Sequence, residues 1–206
     1  MPLKDQFKIL NKNFESLIDS YLDNKVGQVK HFLSVDLAHN LRSNLLKLYA
    51  DEALKSAGIG NNAKLLKDKA FRSDKIFWLD RSHNNQHENS FFDLIDDFVA
   101  YLNRTCYAGI VDYEFHYALY EKGSFYKRHL DQFKDNHQRA FSMIMYLNVD
   151  WKKGDGGELC IYFPDHQEII PPINSKCVFF KSNELEHEVL LSHQVRMSVT
   201  GWLKTK

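Results

Sequence analysis

Apolar positions along the chain fall into two textures. In the first half they recur at steps of three and four. Leu3, Phe7, Leu10, Phe14, Leu17 and Tyr21 make one stripe, the signature of an amphipathic helix, and Gly27 is its expected stop. Val29 to Leu33 reads as a short extended piece. Ser34 is placed to cap a second helix whose apolar face includes Leu37, Leu41, Leu45 and Leu48. Gly58-Ile59-Gly60-Asn61-Asn62 reads as loop, and Arg72 to Leu79 as extended. The polar, Asn- and His-rich run from Arg81 to Asn89 reads as a mobile surface loop and a candidate lid. Ser90-Phe91-Phe92-Asp93 has the form of a capping box with Asp in place of Glu, opening a third helix through Phe98 and Leu102.

From about Gly109 the texture changes to short strands. Val111 to Tyr120 is rich in aromatics, and Phe141 to Leu147 is almost continuously apolar, as a strand covered on both faces should be. Gly154-Asp155-Gly156-Gly157 signals a turn before a strand from Glu158 to Phe163. Pro171-Pro172 breaks the chain before Lys176 to Lys181, and Glu186 to Leu191 and Arg196 to Leu203 supply the last two strands. Helices first and many short strands after predict an α+β fold, a sandwich or jelly roll with helices packed on one sheet. No repeat, linker or low-complexity stretch divides the chain, so 1–206 is expected to be one domain: 1–108 mainly helical support with one or two strands, 109–206 the strand-built core.

Composition narrows the function. The 206 residues suffice for one full hydrophobic core. Twenty-seven basic and 27 acidic side chains cancel, so no basic stripe predicts nucleic-acid binding. No apolar run approaches a membrane span, the first residues do not resemble a signal peptide, and the cysteines Cys106, Cys160 and Cys177 form no CxxC pair. A cytoplasmic setting with reduced thiols, two of them in apolar strand-like runs, is the expectation.

The chemistry concentrates in four residues. In a strand, positions i and i+2 share a face, so His129 and Asp131 can aim an imidazole and a carboxylate at one point. With ten histidines in the chain, one such pair arises easily by chance. The ordered set carries more. His187 lies in a later predicted strand, Arg196 begins the next, and an apolar strand with Tyr146 lies between the ligand segments. Two histidines and one carboxylate make a facial set that suits Fe(II) and leaves positions open for oxygen chemistry. Charge agrees. Fe(II) with one aspartate is +1, a 2-oxoglutarate dianion takes it to −1, and Arg196 returns it to zero. Unless an anion meets it there, Arg196 should instead be a surface charge paired with Glu184, Glu186 or Glu188. His83 and His87, with Glu88, have a spacing that would suit zinc on a helix, but their setting reads as loop and no metal role is assigned. His137, His166 and His193 lack partners at ligand spacing and are expected to be solvated. No hydrolase motif is present.

Taken together, six segments are similar to the prolyl 4-hydroxylase branch of the Fe(II)/2-oxoglutarate dioxygenases, with particular likeness to the hypoxia-inducible-factor prolyl hydroxylases and their bacterial relatives. They are Arg72 to Trp78, Tyr120 to Asp131, Tyr146-Leu147-Asn148, Gly156 to Leu159, Glu186 to Val189, and Arg196 to Trp202. The resemblance runs from about Phe71 to Leu203 and implies a double-stranded β-helix (jelly roll) with the N-terminal helices packed on one sheet. It implies iron held by His129, Asp131 and His187. Arg196 would pair with the 5-carboxylate of 2-oxoglutarate and Tyr146 would bond the same group, with Leu159, Thr200 and Trp202 walling the pocket. Tyr120 would stand at the mouth, and Asp74 and Arg139 would form a charged pair beside Tyr126 near the substrate entrance. The implied activity is hydroxylation of a prolyl residue in a protein, consuming 2-oxoglutarate and O2 and releasing succinate and CO2, with ascorbate a candidate reductant. Elongation factor Tu is the attractive target by likeness to the bacterial members. A hydroxylase of free amino acids or small molecules, and a non-catalytic module sensing iron and 2-oxoglutarate, are the alternatives. The loop between Tyr120 and Tyr126 is a residue shorter than in the animal enzymes, and the chain ends soon after Trp202, so a long C-terminal substrate-gripping helix is expected to be missing.

Overall fold

The computed structural model describes residues 3–58, 70–132 and 137–206, with side chains from Leu10 onward. Helix α1 (Leu3–Asn24) buries Phe14 and Leu17 and turns through Lys25, at φ +60°, straight into β1 (Val26–Val29). The strand therefore precedes the stretch expected to be extended, and Gly27 lies inside it. Its role is close approach, since a Cβ at Gly27 would stand 2.5 Å from the Leu17 carbonyl oxygen. Helix α2 (Val35–Ala50) begins as expected, with the Ser34 hydroxyl accepting the Leu37 N–H at 3.1 Å. Most of the expected loop at 58–62 lies outside the described residues.

Two short strands follow, β2 (Lys55–Ser56) and β3 (Lys75–Trp78). The polar run after them is built structure and not a loop. Arg81–His83 forms a 3-10 turn capped by Asp80, and α3 (Gln86–Cys106) starts four residues before Ser90. Its cap is Asn85, whose Oδ1 accepts the N–H groups of His87 and Glu88 at 2.9 and 3.1 Å. Some of these polar side chains turn inward, though Arg81 to Asn84 and Gln86 stay exposed. Buried Glu88 accepts from Asn44 Nδ2 and lies 2.9 Å from His83 Nδ1, and Asn85 Nδ2 donates to Asn44. The polar composition of 81–89 thus serves a network between α2 and α3, which removes the lid reading.

The remaining strands are β4 (Asp112–Tyr120), β5 (Tyr126–His129), β6 (Arg139–Tyr146), β7 (Leu159–Tyr162), β8 (Gln167–Ile170), β9 (Cys177–Lys181), β10 (His187–Val189) and β11 (Arg196–Lys204). They form two antiparallel sheets, a larger one in the order β1-β9-β6-β11-β4-β3-β2 and a smaller one in the order β5-β10-β7-β8. With three helices and two facing sheets, the fold is the α+β jelly roll expected.

Period-two alternation sorts the central strands into two populations. Phe115, Tyr117, Leu119, Met143, Met145 and Val199 pack with Phe14, Leu41, Phe91 and Phe98 of the three helices. The intervening residues point between the sheets. Ile144, Tyr146, Val178 and Phe180 meet Leu159, Ile161 and Ile170 of the smaller sheet. The continuous apolar run of β6 is explained, since the strand faces helices on one side and the inter-sheet space on the other. That space is apolar toward β8 and becomes polar toward β5, where the candidate residues lie.

Candidate active site

The smaller sheet sets the two imidazoles side by side. His187 on β10 is the register partner of His129 on β5. Asp131 lies just past the end of β5 and completes the group: one donor atom from each of His129, Asp131 and His187 lies within 4.8 Å of the others. Among the described residues this is the one cluster with metal-ligand geometry. Both rings have their outer nitrogen committed. His129 Nδ1 lies 2.7 Å from the Lys127 carbonyl and His187 Nδ1 lies 3.2 Å from the Leu185 carbonyl. A carbonyl can only accept, so each Nδ1 donates and Nε2 is the ring nitrogen left to face an ion. The Nε2 atoms stand 3.5 and 3.4 Å from the Asp131 carboxylate.

Ionisation suits metal binding. Burial pushes His187 down to about 4, which favours the neutral ligand form. Burial alone would raise the Asp131 carboxyl, but His187, His129 and the Ser142 hydroxyl together hold it well below the usual carboxylate range. The rings are also wedged in place. Tyr126 stacks on His129 at 3.6 Å between centroids, and Phe180 meets His187 edge-on at 4.9 Å.

Arg196 opens β11 opposite Tyr120 and is 2% exposed. Nε donates to the Gly157 carbonyl at 2.9 Å and Nη1 to Ser198 Oγ at 3.3 Å. Gly157 has φ +72°, and a Cβ there would stand 3.0 Å from Arg196 Cδ, so glycine lets the arginine lie flat against the turn. The guanidinium carbon sits 4.7 Å from the Tyr120 ring centre and 5.1 Å from that of Tyr146. Among the described residues no carboxylate pairs with it. The surface-pair alternative fails residue by residue, because Glu184 pairs with Lys181, Glu186 with Arg128, and Glu188 with the Tyr162 hydroxyl. Beside it the Tyr146 hydroxyl is buried and meets hydrogen-bond geometry with none of the described residues, Arg196 being its nearby cation. Burial pushes that phenol up to about 12, so it stays a donor, although Arg196 pulls the other way. A guanidinium fork beside a buried phenol hydroxyl has the donor chemistry that a carboxylate needs.

One cavity joins the three candidate ligands to Arg196, and Tyr146 is not among the residues that line it. Tyr120, Tyr126, Leu159, Thr200 and Trp202 line it with the three candidate ligands and Arg196. The expected Asp74–Arg139 pair is not formed. Asp74 instead holds Arg72 bidentately at 2.6 and 2.9 Å, and Arg139 pairs with Glu114 at 2.7 Å. The register accounts for this. Asp74 precedes β3 at the Tyr120 end of β4, whereas Glu114 lies near the opposite end. Arg72 in turn lies 4.4 Å from the Tyr126 ring that stacks on His129. Arg139 covers the Trp202 ring at 3.5 Å and donates to the Asp131 carbonyl.

Sequence reasoning assigned no role to Arg72, His116 or Ser142, all at or beside the site. His116 is buried between Trp78 and Trp202 and pushed down to about 3 by burial, and its Nδ1 has no partner, like Trp202 Nε1. A lone histidine in an aromatic strand carries no spacing signal. His83 bonds Glu88, while His137, His166 and His193 lie at the surface, as expected for the last three. Cys160 and Cys177 are buried and Cys106 exposed, all free. Among the described residues no helix is long and apolar enough to cross a membrane.

Comparison with known proteins agrees with this geometry. Residues 115–204 match the model of the 2OG-Fe(II) oxygenase superfamily. The chain is similar to a prolyl-4-hydroxylase from Pseudomonas putida, at 31% identity, over 94% of this chain and 99% of that one, with a TM-score of 0.84. A Trichoplax adhaerens prolyl hydroxylase, solved with a peptide of the hypoxia-inducible-factor oxygen degradation domain, shares the fold at 21% identity, over 99% of this chain and 94% of that one, with a TM-score of 0.86. A prolyl 3-hydroxylase of Xenopus laevis, OGFOD1, is 36% identical in an alignment of 76 residues that covers 31% of this chain and 15% of that much longer protein.

Proposed function

Because the chain belongs to the 2OG-Fe(II) oxygenase superfamily, in its prolyl 4-hydroxylase family, we propose that it hydroxylates a prolyl residue of a protein or peptide substrate. Family members use Fe(II) and 2-oxoglutarate, and the donor set fits both. Two imidazoles and a carboxylate meet at one point, and the Arg196 guanidinium carbon lies 5.1 Å from the ring centre of Tyr146, whose hydroxyl is buried.

In this reading His129 Nε2, His187 Nε2 and Asp131 hold the iron. Arg196 and Tyr146 bind the 5-carboxylate of 2-oxoglutarate, while Leu159 and Thr200 shape the space around its chain. When bound, the iron and 2-oxoglutarate supply the oxidising chemistry, with O2 and 2-oxoglutarate ending as hydroxyl oxygen, succinate and CO2. The chain's part is orientation and charge balance. Asp131 and Arg196 cancel, Arg72 and Asp74 cancel, and the dianion cancels the ion, so the loaded pocket is neutral. Trp202 and Tyr126 wall the substrate side, and apolar packing between the sheets keeps water out behind the ligands.

The observation that carries the reading is the pairing of the three-ligand cluster with a buried arginine that has no acidic partner among the described residues. Elongation factor Tu is the substrate to try first. Incubation with Fe(II), 2-oxoglutarate, ascorbate and O2 should add one oxygen to a proline of that protein, read by peptide mass spectrometry, and omitting 2-oxoglutarate should abolish it. Succinate formation with no modified protein would instead move the assignment to a small-molecule hydroxylase.

A further inference from the structure

Strand β6 is apolar from Phe141 to Leu147 at every position but one, Ser142. A hydroxyl with no exposure needs hydrogen bonds to offset the water it has lost. Ser142 faces the space between the sheets, opposite Trp202 on β11 and Phe180 on β9. Its Oγ donates to Asp131 Oδ2 at 2.6 Å. A carboxylate only accepts, so the single Ser142 proton is committed there. The neighbouring hydroxyl of Ser182, 2.9 Å away and equally buried, must then donate to the Ser142 oxygen.

Ser182 also holds the segment beyond Asp131. Its carbonyl accepts the Gln132 N–H at 3.1 Å, while Gln132 Nε2 donates to the Arg139 carbonyl. Asp131 lies outside β5, where no regular ladder fixes it. Its orientation therefore depends on these side-chain contacts. With Oδ2 already carrying a donor, Oδ1 is the carboxylate oxygen left free of a hydroxyl contact.

We propose that the Ser142–Ser182 hydroxyl pair is a positioning relay that presents Asp131 to the metal through one oxygen. This rests on the metal site proposed above. Partners of this kind set ligand orientation, and their loss weakens metal binding by about 10- to 100-fold. Serine-to-alanine changes remove one buried oxygen each and retain the strand.

The test is Mn(II) binding in the presence of 2-oxoglutarate, read as loss of the free-ion EPR signal, in the wild-type protein, Ser142→Ala, Ser142→Thr and Ser182→Ala. Ser142→Ala should raise the Mn(II) Kd by about tenfold and Ser182→Ala by about threefold, while Ser142→Thr restores the wild-type value. The anaerobic Fe(II)–2-oxoglutarate protein should also show a shifted visible charge-transfer band in Ser142→Ala and an unshifted one in Ser142→Thr. A relay that merely filled space would move neither reading. Wild-type affinity and band position in Ser142→Ala would overturn the relay alone. A wild-type protein that takes up no Mn(II) would overturn the relay together with the metal site. Should Ser142→Ala fail to fold, Ser182→Ala with unchanged affinity and spectrum would be sufficient to reject it.

Discussion

Arg196 is buried with Nε on a carbonyl and Nη1 on a hydroxyl, and Tyr120 and Tyr146 lie against its fork. A buried cation left like this is expensive unless an anion arrives. Hydrogen bonds to a charged group contribute roughly 1.5–3 kcal/mol each, so replacing the fork should weaken 2-oxoglutarate binding by about two orders of magnitude. Calorimetric titration of 2-oxoglutarate into Mn(II)-loaded Arg196→Leu protein measures this, and Arg196→Lys should recover only part, since an ammonium keeps the charge without the two-pronged geometry. Unchanged affinity in Arg196→Leu would place the dicarboxylate elsewhere. At this scale the His129, Asp131 and His187 cluster was legible because chemistry restricts which side chains can serve. Asp74 and Arg139 were not, because an ion pair is decided by which strands lie adjacent. Arg72 takes Asp74 two residues along the chain, and the order β6-β11-β4 brings Arg139 to Glu114.

The elements were legible where period and end signals agreed. Helix α2 begins at the expected Ser34, and the last strands fall where their apolar runs lie. The start of α3 was misplaced because His83 through Asn89 reads as solvated when its partners are unknown. In the fold, Asn44 of α2 bonds both Glu88 and Asn85, and Tyr117 of β4 accepts a third contact from Asn44. Asn85→Ala removes a cap and one of these bonds and should lower stability by about 1 kcal/mol or somewhat more, measured by urea unfolding. A loss no larger than that of an exposed-loop substitution would show that the segment is the loop its composition suggests. The strands β5 and β8 are four residues each, too short for alternation to stand out, and β5 carries the ligand end of the site.

For the molecule as a whole, the larger sheet is a partition. One face packs the helices and the other faces the smaller sheet, so the site sits between two layers and draws residues from β4, β5, β6, β7, β10 and β11. A ligand that joins both sheets binds the folded chain and not the unfolded one. Saturation with Mn(II) and 2-oxoglutarate at a hundred times Kd should therefore add about 2.7 kcal/mol to unfolding, seen as a raised thermal midpoint that a chelator abolishes. An equal midpoint with and without the pair would mean that the three ligands do not act together.

The residue pattern alone determined the two-texture architecture and the types of side chain able to hold iron and a dicarboxylate. These follow from local period and from intrinsic ligand chemistry, which need no knowledge of neighbours. Only the tertiary structure decided that His129 and His187 are register partners, that Asp131 is held by two buried serines, and that Arg139 answers Glu114. Those outcomes depend on strand order and register between segments as much as 58 residues apart (the separation of Arg128 and Glu186, one residue before each histidine), and no local rule of the chain specifies them.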